Sequence, residues 1–206
     1  AIFLVATYDP LAPGSGRKDS SFPPVTPSGR LWLLAALAGS LAGDVLLLFP
    51  GYFVPGLVAF LLAHVAYLVL LRQGVGWFPS RRALAVTLGV GAAMYAFLWT
   101  GGLPAGLRAP VAAYVSVIAL MAAQAIGRAT VQRDRASWTV AVGACCFMLS
   151  DSLLATNKFV APLPLASFWV LTSYYAAQVL IVGGWLRGQT VAQAGVRPGA
   201  ESLRFQ

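Results

Sequence analysis

Charge is scarce in this chain. Only 10% of its 206 residues are Asp, Glu, Lys or Arg, where a water-soluble domain carries about 25%. Acidic residues are the rarest part of that, 6 in all, and histidine occurs once, as His64. A single histidine excludes a histidine-rich zinc site. The 2 cysteines, Cys145 and Cys146, are neighbours in an apolar run; adjacent cysteines rarely bridge, and they say little about redox compartment. No serine nucleophile elbow, phosphate-binding glycine loop or cysteine-rich metal motif is present. Ser150 precedes Asp151 but has no histidine on its own stretch of helix. What fills the chain instead is apolar: 59% of residues are hydrophobic and the mean hydropathy is +0.77. That composition specifies an integral membrane protein of the all-α class, a polytopic helical bundle.

The order of the chain supports three regions. Residues 1–30 begin with an apolar stub, 1–9, too short to cross a bilayer, which takes about 20 residues. The stub is not a complete signal peptide, which has a basic start and a longer apolar core. Pro10, Pro13, Pro23, Pro24 and Pro27, among glycines and serines, then read as a loop or linker. Residues 31–186 hold six apolar runs, near 31–49, 53–71, 83–100, 109–127, 137–156 and 166–186. Residues 187–206 read as a polar, basic tail. In the first run, Gly39 and Gly43, with Ala35 one turn earlier, have the spacing that lets helices approach closely.

The net charge of +8 is distributed over loops, so it reads as orientation and not as a nucleic-acid surface. Arg17, Lys18 and Arg30 precede the first run. Arg72, Arg81 and Arg82 follow the second, Arg128, Arg133 and Arg135 the fourth, and Arg187, Arg197 and Arg204 the sixth. The opposite side has only Arg108 and Lys158 of the 14 basic residues. The positive-inside rule then places the clusters and the C-terminus in the cytoplasm, with the bundle in the plasma (inner) membrane. Trp32, Trp77, Trp99, Trp138, Trp169 and Trp185 fall near run ends and read as an interfacial belt.

Two carboxylates lie inside the apolar runs. An ionisable side chain at that depth is costly and usually faces a protein interior or a wet cavity. The first and fifth runs point the same way, and Asp44 and Asp151 each lie about five residues, roughly 7–8 Å, from the outer end. Carboxylates at one depth suit general acid–base chemistry, because one can hold the proton that the other lacks; each also has a plain reading as a hydrogen-bond acceptor. Asp151, Leu154, Ala155 and Lys158 share one helical face, with Lys158 at the rim, where it either contacts a phosphate or snorkels. His64 is mid-membrane, one turn before Tyr67, and is an acid–base partner or an interhelical donor. Tyr67, Tyr114, Tyr174 and Tyr175 are candidate cavity-lining groups or packing residues, and Tyr175 and Gln178 share a face. The chemistry requires no metal and no cofactor.

Taken together these pieces resemble the YhhN family, the membrane lysoplasmalogenases. The resemblance rests on Gly-Ser-Leu-Ala-Gly-Asp at 39–44, Phe-Val-Pro-Gly-Leu-Val-Ala-Phe-Leu-Leu-Ala-His-Val-Ala-Tyr at 53–67, Ser-Asp-Ser-Leu-Leu-Ala-Thr-Asn-Lys-Phe at 150–159 and Tyr-Tyr-Ala-Ala-Gln at 174–178. It covers about 31–186. The family's plan has eight helices, so two are expected before the first full run; residues 1–8 would be the tail of the second, and a Lys-Pro pair carried there by family members is absent. The resemblance implies hydrolysis of the vinyl-ether bond of a lysoplasmalogen to a fatty aldehyde and a glycerophospho-base. Asp44 and Asp151 would be the catalytic pair, His64, Tyr175 and Gln178 would position water or substrate, and Lys158 would meet the phosphate. The partners implied are a lysophospholipid and the bilayer, from which a single-tailed lipid enters sideways between helices. The alternative for the same residues is a proton-linked transporter or a lipid-binding membrane protein. Oligomeric state is left open.

Overall fold

A computed structural model describes residues 27–196, with side-chain environments for 28–190. The N-terminal stub, most of the Pro-rich stretch and the end of the basic tail lie outside the described residues. Six helices follow one another: α1 (Pro27–Leu47), α2 (Phe53–Arg72), α3 (Arg81–Thr100), α4 (Arg108–Gln132), α5 (Arg135–Phe159) and α6 (Ala166–Val196). A short 3-10 turn, Ala105–Leu107, leads into α4. All six are long and apolar enough to cross a membrane, and no strand occurs among the described residues. The fold is therefore the expected all-α membrane bundle, with two differences at the ends. The first helix begins at Pro27, four residues before the expected run, because proline is tolerated in a first turn. The last helix runs past residue 186 to Val196, because the polar residues there are still good helix formers.

Helix ends are set by local chemistry. Ser80 caps α3 by accepting from the Ala83 amide. Asp134 caps α5, accepting from the Ser137 amide at 2.8 Å and from its hydroxyl at 2.9 Å. Each cap satisfies an orphan donor of the first turn. Between α1 and α2, Gly51 turns the chain at φ +87°, a conformation that glycine adopts without strain.

The helices pack as three hairpins, α1–α2, α3–α4 and α5–α6, joined by α4, which also lies against α2 and α5. Small residues make the closest approaches, as the Gly39–Gly43 spacing implies. A Cβ on Gly43 would overlap the Phe60 ring. Between α5 and α6, a Cβ on Gly143 would come 2.8 Å from Ile181 Cγ1, and one on Gly184 2.8 Å from the Ala136 carbonyl. The core around these contacts contains Leu33, Tyr67, Leu70, Met121, Phe147 and Ile181, all nearly inaccessible. Apolar side chains on the outer faces, among them Leu62, Val86, Val142 and Val179, are exposed, as a lipid-facing surface demands.

One basic residue is not where its sequence position placed it. Arg128 was counted with the loop charges between the fourth and fifth spans, but α4 continues to Gln132, and Arg128 is fully buried inside the bundle. Its Nη1 donates to the carbonyls of Leu71 at 3.2 Å and Gln73 at 2.6 Å, and the guanidinium lies 5.1 Å from the Trp185 ring centroid. One turn away, Gln124 donates to the Gly76 carbonyl at 2.8 Å and accepts from the Phe78 amide at 2.7 Å. These two side chains satisfy the Leu71 carbonyl near the end of α2 and the Gln73 and Gly76 carbonyls just beyond it, and fix the α2–α3 turn.

Candidate functional site

The polar residues of the bundle gather in two clusters on either side of Phe147. The first centres on Asp151 of α5. Tyr114 of α4 donates to Asp151 Oδ2 at 2.6 Å. His64 Nε2 of α2 lies 3.7 Å from the same oxygen, within reach of a shift of less than 1 Å to hydrogen-bonding distance, typically about 2.9 Å. The His64 side chain is fully buried and the Asp151 side chain is 16% exposed. The second cluster centres on Asp44 of α1. Tyr174 of α6 donates to Asp44 Oδ2 at 2.8 Å, Gln178 donates to Tyr174 Oη at 3.3 Å, and Tyr67 donates to Gln178 Oε1 at 2.6 Å. This chain of side chains ties α1, α2 and α6 together. Phe147 separates the clusters, its ring 4.6 Å from His64 and 5.4 Å from Tyr174 between centroids.

Asp151 opens onto a cavity. A pocket of about 730 Å³, measured out to its open mouth, is lined by the ends of α1 and α2 and by α3, α4 and α5. Its wall is apolar except for Asp151, Tyr114 and Ser152. Asp151, Leu154 and Ala155 all line it, as their shared helical face requires. Asp44 is not among its walls.

The remaining candidates divide. His64 touches Asp151 from behind, away from the pocket, and packs edge-on to Tyr114 with ring centroids 5.4 Å apart. Lys158 is exposed, and its Nζ stands 5.2 Å from the centroid of Phe53, a pocket residue. Tyr175 does not join the site. It is 58% exposed on the outside of α6, and the helical partner of Gln178 is Tyr174, one turn earlier. The sequence reading paired Gln178 with the wrong tyrosine of the adjacent two, because a step of three and a step of four both fit one face. Ser152 and Phe147 were missed. Ser152 donates to the Met148 carbonyl one turn back, and only the pocket distinguishes it from an ordinary helical serine; nothing in the sequence marks Phe147 as a divider. No group of three or more His, Cys, Asp or Glu able to hold a metal occurs among the described residues.

The geometry defines a class: a polytopic helical membrane protein in which one intramembrane carboxylate, hydrogen-bonded by a tyrosine, faces an apolar pocket, with a second carboxylate in a separate cluster across Phe147. The YhhN family model matches residues 19–185, and the chain belongs to that family. Among its relatives, a Homo sapiens lysoplasmalogenase is 36% identical over 79% of this chain and 68% of its own length. A lysoplasmalogenase of Mycobacterium bovis is 34% identical over 82% of this chain and 66% of its own, and one of Sus scrofa 36% identical over 72% and 61%. The chain thus spans about two thirds of the length of the curated relatives it matches. No solved structure matches it at a significant level.

Proposed function

We propose that the chain is the catalytic bundle of a lysoplasmalogenase, which hydrolyses the vinyl ether of a single-chain ether phospholipid to a fatty aldehyde and a glycerophospho-base. Its similarity to curated enzymes of that name supports the reaction. The observation that carries it is Asp151, hydrogen-bonded to Tyr114, on the wall of an otherwise apolar pocket.

The chemistry needs one acid that can later act as a base. Protonated Asp151 gives its proton to the outer alkene carbon of the vinyl ether. The ether oxygen shares the resulting positive charge as an oxocarbenium ion, beside the new carboxylate, and Tyr114 holds that carboxylate by its hydrogen bond. Water then attacks the cationic carbon and returns a proton to Asp151. The hemiacetal so formed collapses to aldehyde and glycerol hydroxyl, its hydroxyl proton passing to the departing oxygen. One water is consumed and the aspartic acid is regenerated. Ser152, on the same pocket wall, suits the placing of that water. Asp44 adds negative charge near the developing cation without touching it. Tyr174, Gln178 and Tyr67 hold Asp44 in place, and His64 backs Asp151, so these are positioning residues. Tyr175 has no part.

Lys158 suits the phosphate. It lies seven residues beyond Asp151, about 10.5 Å along the helix. From phosphorus to the alkene carbon a lysoplasmalogen has seven bonds, about 8 Å at the roughly 1.2 Å per bond of an extended chain. The two lengths agree once the lysine stem is allowed to bend. The loop charges support a cytoplasmic C-terminus and a plasma (inner) membrane, with the head group on the far side.

The test is aldehyde release from a lysoplasmenyl lipid by purified protein, wild type beside Asp151→Asn. Release by the wild type and none by a folded variant is the expected result. Depletion of the lipid without aldehyde would refute hydrolysis in favour of binding or transport.

A further inference from the structure

Resting on the lysoplasmalogenase reading, we infer that the slot between α2 and α3 is the passage through which the lipid tail runs from the pocket into the bilayer.

The pocket has little room below its acid. Asp151 lies eight residues from the end of α5 at Phe159, and Met148, a floor residue, is only three residues deeper, about 4.5 Å. Ile118, ten residues into α4 and about 15 Å deep, is the deepest α4 residue on its wall, and deeper still Met121 of α4 and Tyr67 of α2 are fully buried. A tail of fourteen further carbons is about 17 Å long when extended, at roughly 1.2 Å per bond. Such a tail has to leave sideways just past the reacting carbon.

Two of the three possible sides are shut. Between α2 and α5, the Phe60 and His64 rings of α2 meet the Phe147 ring of α5 edge to face, at 6.5 and 4.6 Å between centroids. Between α3 and α5, Leu98 and Met94 pack with Ala155, Phe159 and Val160. The third side is open, because α2 and α3 both lean on other helices and are not packed against each other. Val90 of α3 lines the pocket and is 48% exposed, so the cavity reaches the lipid-facing surface at that residue. Val90 is ten residues below Thr100, about 15 Å, and Asp151 about 12 Å below Phe159. The opening therefore sits at or just below the depth of the carboxylate. The residues flanking the slot on the outside, Val58, Leu62 and Val86, are exposed and apolar.

The other end of the lipid is fixed by charge. Arg108 and Lys158 are the basic residues at this end of the bundle, and each is one helical turn from pocket-lining residues, Val111 and Leu154. The Arg108 guanidinium sits over Trp99, its Cζ 4.0 Å from the ring centroid, and a guanidinium at this rim can pair with a phosphate. With phosphate at this rim and the alkene at Asp151, the tail turns out between α2 and α3. The slot holds the first few methylenes and the bilayer takes the rest, so the protein does not measure long chains.

Val90→Trp tests this, with Val179→Trp as control, on the lipid-facing surface of α6, whose residues do not line the pocket. Both are assayed on lysoplasmenyl lipids with a four-carbon and a sixteen-carbon alkenyl chain. The expected result is that Val90→Trp loses at least tenfold more rate on the long chain than on the short one, while Val179→Trp matches the wild type. Equal losses on both chains, or none, would overturn the passage. A second measurement does not depend on turnover. A saturated alkyl lysolipid with a diazirine at the tail end is photolysed in the protein, with and without excess unlabelled lipid. Competed adducts on Val58, Leu62 or Val86, lost in Val90→Trp, support the passage even if no lipid is hydrolysed, in which case only the assigned reaction falls. Competed adducts confined to the α1–α6 side would overturn it.

Discussion

Removing the Tyr114 hydroxyl tests the catalytic role of Asp151 more sharply than removing Asp151 itself. Tyr114 is 8% exposed, and its hydroxyl donates to Asp151 Oδ2 at 2.6 Å. No other side chain makes a hydrogen bond of normal length to that oxygen among the described residues, His64 standing at 3.7 Å. When Asp151 gives up its proton, this bond becomes a bond to a charge, worth about 1.5–3 kcal/mol. Tyr114→Phe therefore raises the barrier to proton donation by up to that amount, a fall in kcat of roughly 10- to 150-fold. Asp151→Asn removes the acid itself, a loss of about 10²–10⁴-fold. The two residues act as one unit, so the double variant is no slower than Asp151→Asn alone. The assay is aldehyde release in detergent micelles under saturating lipid, with a thermal melt to confirm that each variant is folded. An unchanged rate for Tyr114→Phe, or a double variant slower by the product of the single effects, would refute the unit.

Other substitutions separate scaffold from site. Gly43→Ala drives a methyl into the Phe60 ring and is expected to cost about 1–3 kcal/mol by overpacking, read as a lower melting temperature. Arg128→Met leaves the Leu71 and Gln73 carbonyls without their donor; a loss of at least about 1.5–3 kcal/mol is expected, with kcat unchanged below the melt. Tyr175→Phe changes neither rate nor stability, because the hydroxyl is on the lipid-facing side; a tenfold fall in rate would return Tyr175 to the site. Gln178→Leu breaks the chain from Tyr67 to Asp44 and lowers kcat with little change in KM, whereas a rise in KM alone would place Gln178 against substrate.

Much of the fold was legible because lipid imposes a simple rule. A run of about 20 apolar residues is a spanning helix, and all six runs became helices with ends shifted by a few residues. The shifts came from polar helix formers, which hydropathy does not register: Arg128 and Gln132 on α4, and Gln189 on α6. Arg128 shows the cost of reading charge without partners. As a symbol it is a loop cation; in the fold it is an internal donor that closes α2. The site was legible in its membership and less so in its arrangement. Asp151, Tyr114 and His64 did come together, and so did Asp44, Tyr174, Gln178 and Tyr67.

The sequence placed the two aspartates at one depth, each about five residues from the outer end of its run; in the structure Asp44 is three residues from the end of α1 at Leu47 and Asp151 eight from the end of α5 at Phe159, and depth is in any case only one of the coordinates that a dyad needs. The other is rotation about each helix axis, which is set by contacts between helices far apart in the chain. Gly43 draws α1 onto Phe60 of α2, and Gly143 with Gly184 draws α5 onto α6. Those approaches turn Asp151 toward α4 and the pocket and Asp44 toward α6. Phe147 then fills the space between them. The result is two carboxylates of which Asp151 lines the pocket and Asp44, outside its walls, is held by Tyr174. A mechanism with a single acid–base residue and a second carboxylate outside the pocket follows from that rotation. It differs from a shared dyad in a measurable way: Asp44→Asn keeps a residual rate well above that of Asp151→Asn, because the proton donor is still present. Equal loss in two folded variants would mean that both carboxylates reach the lipid.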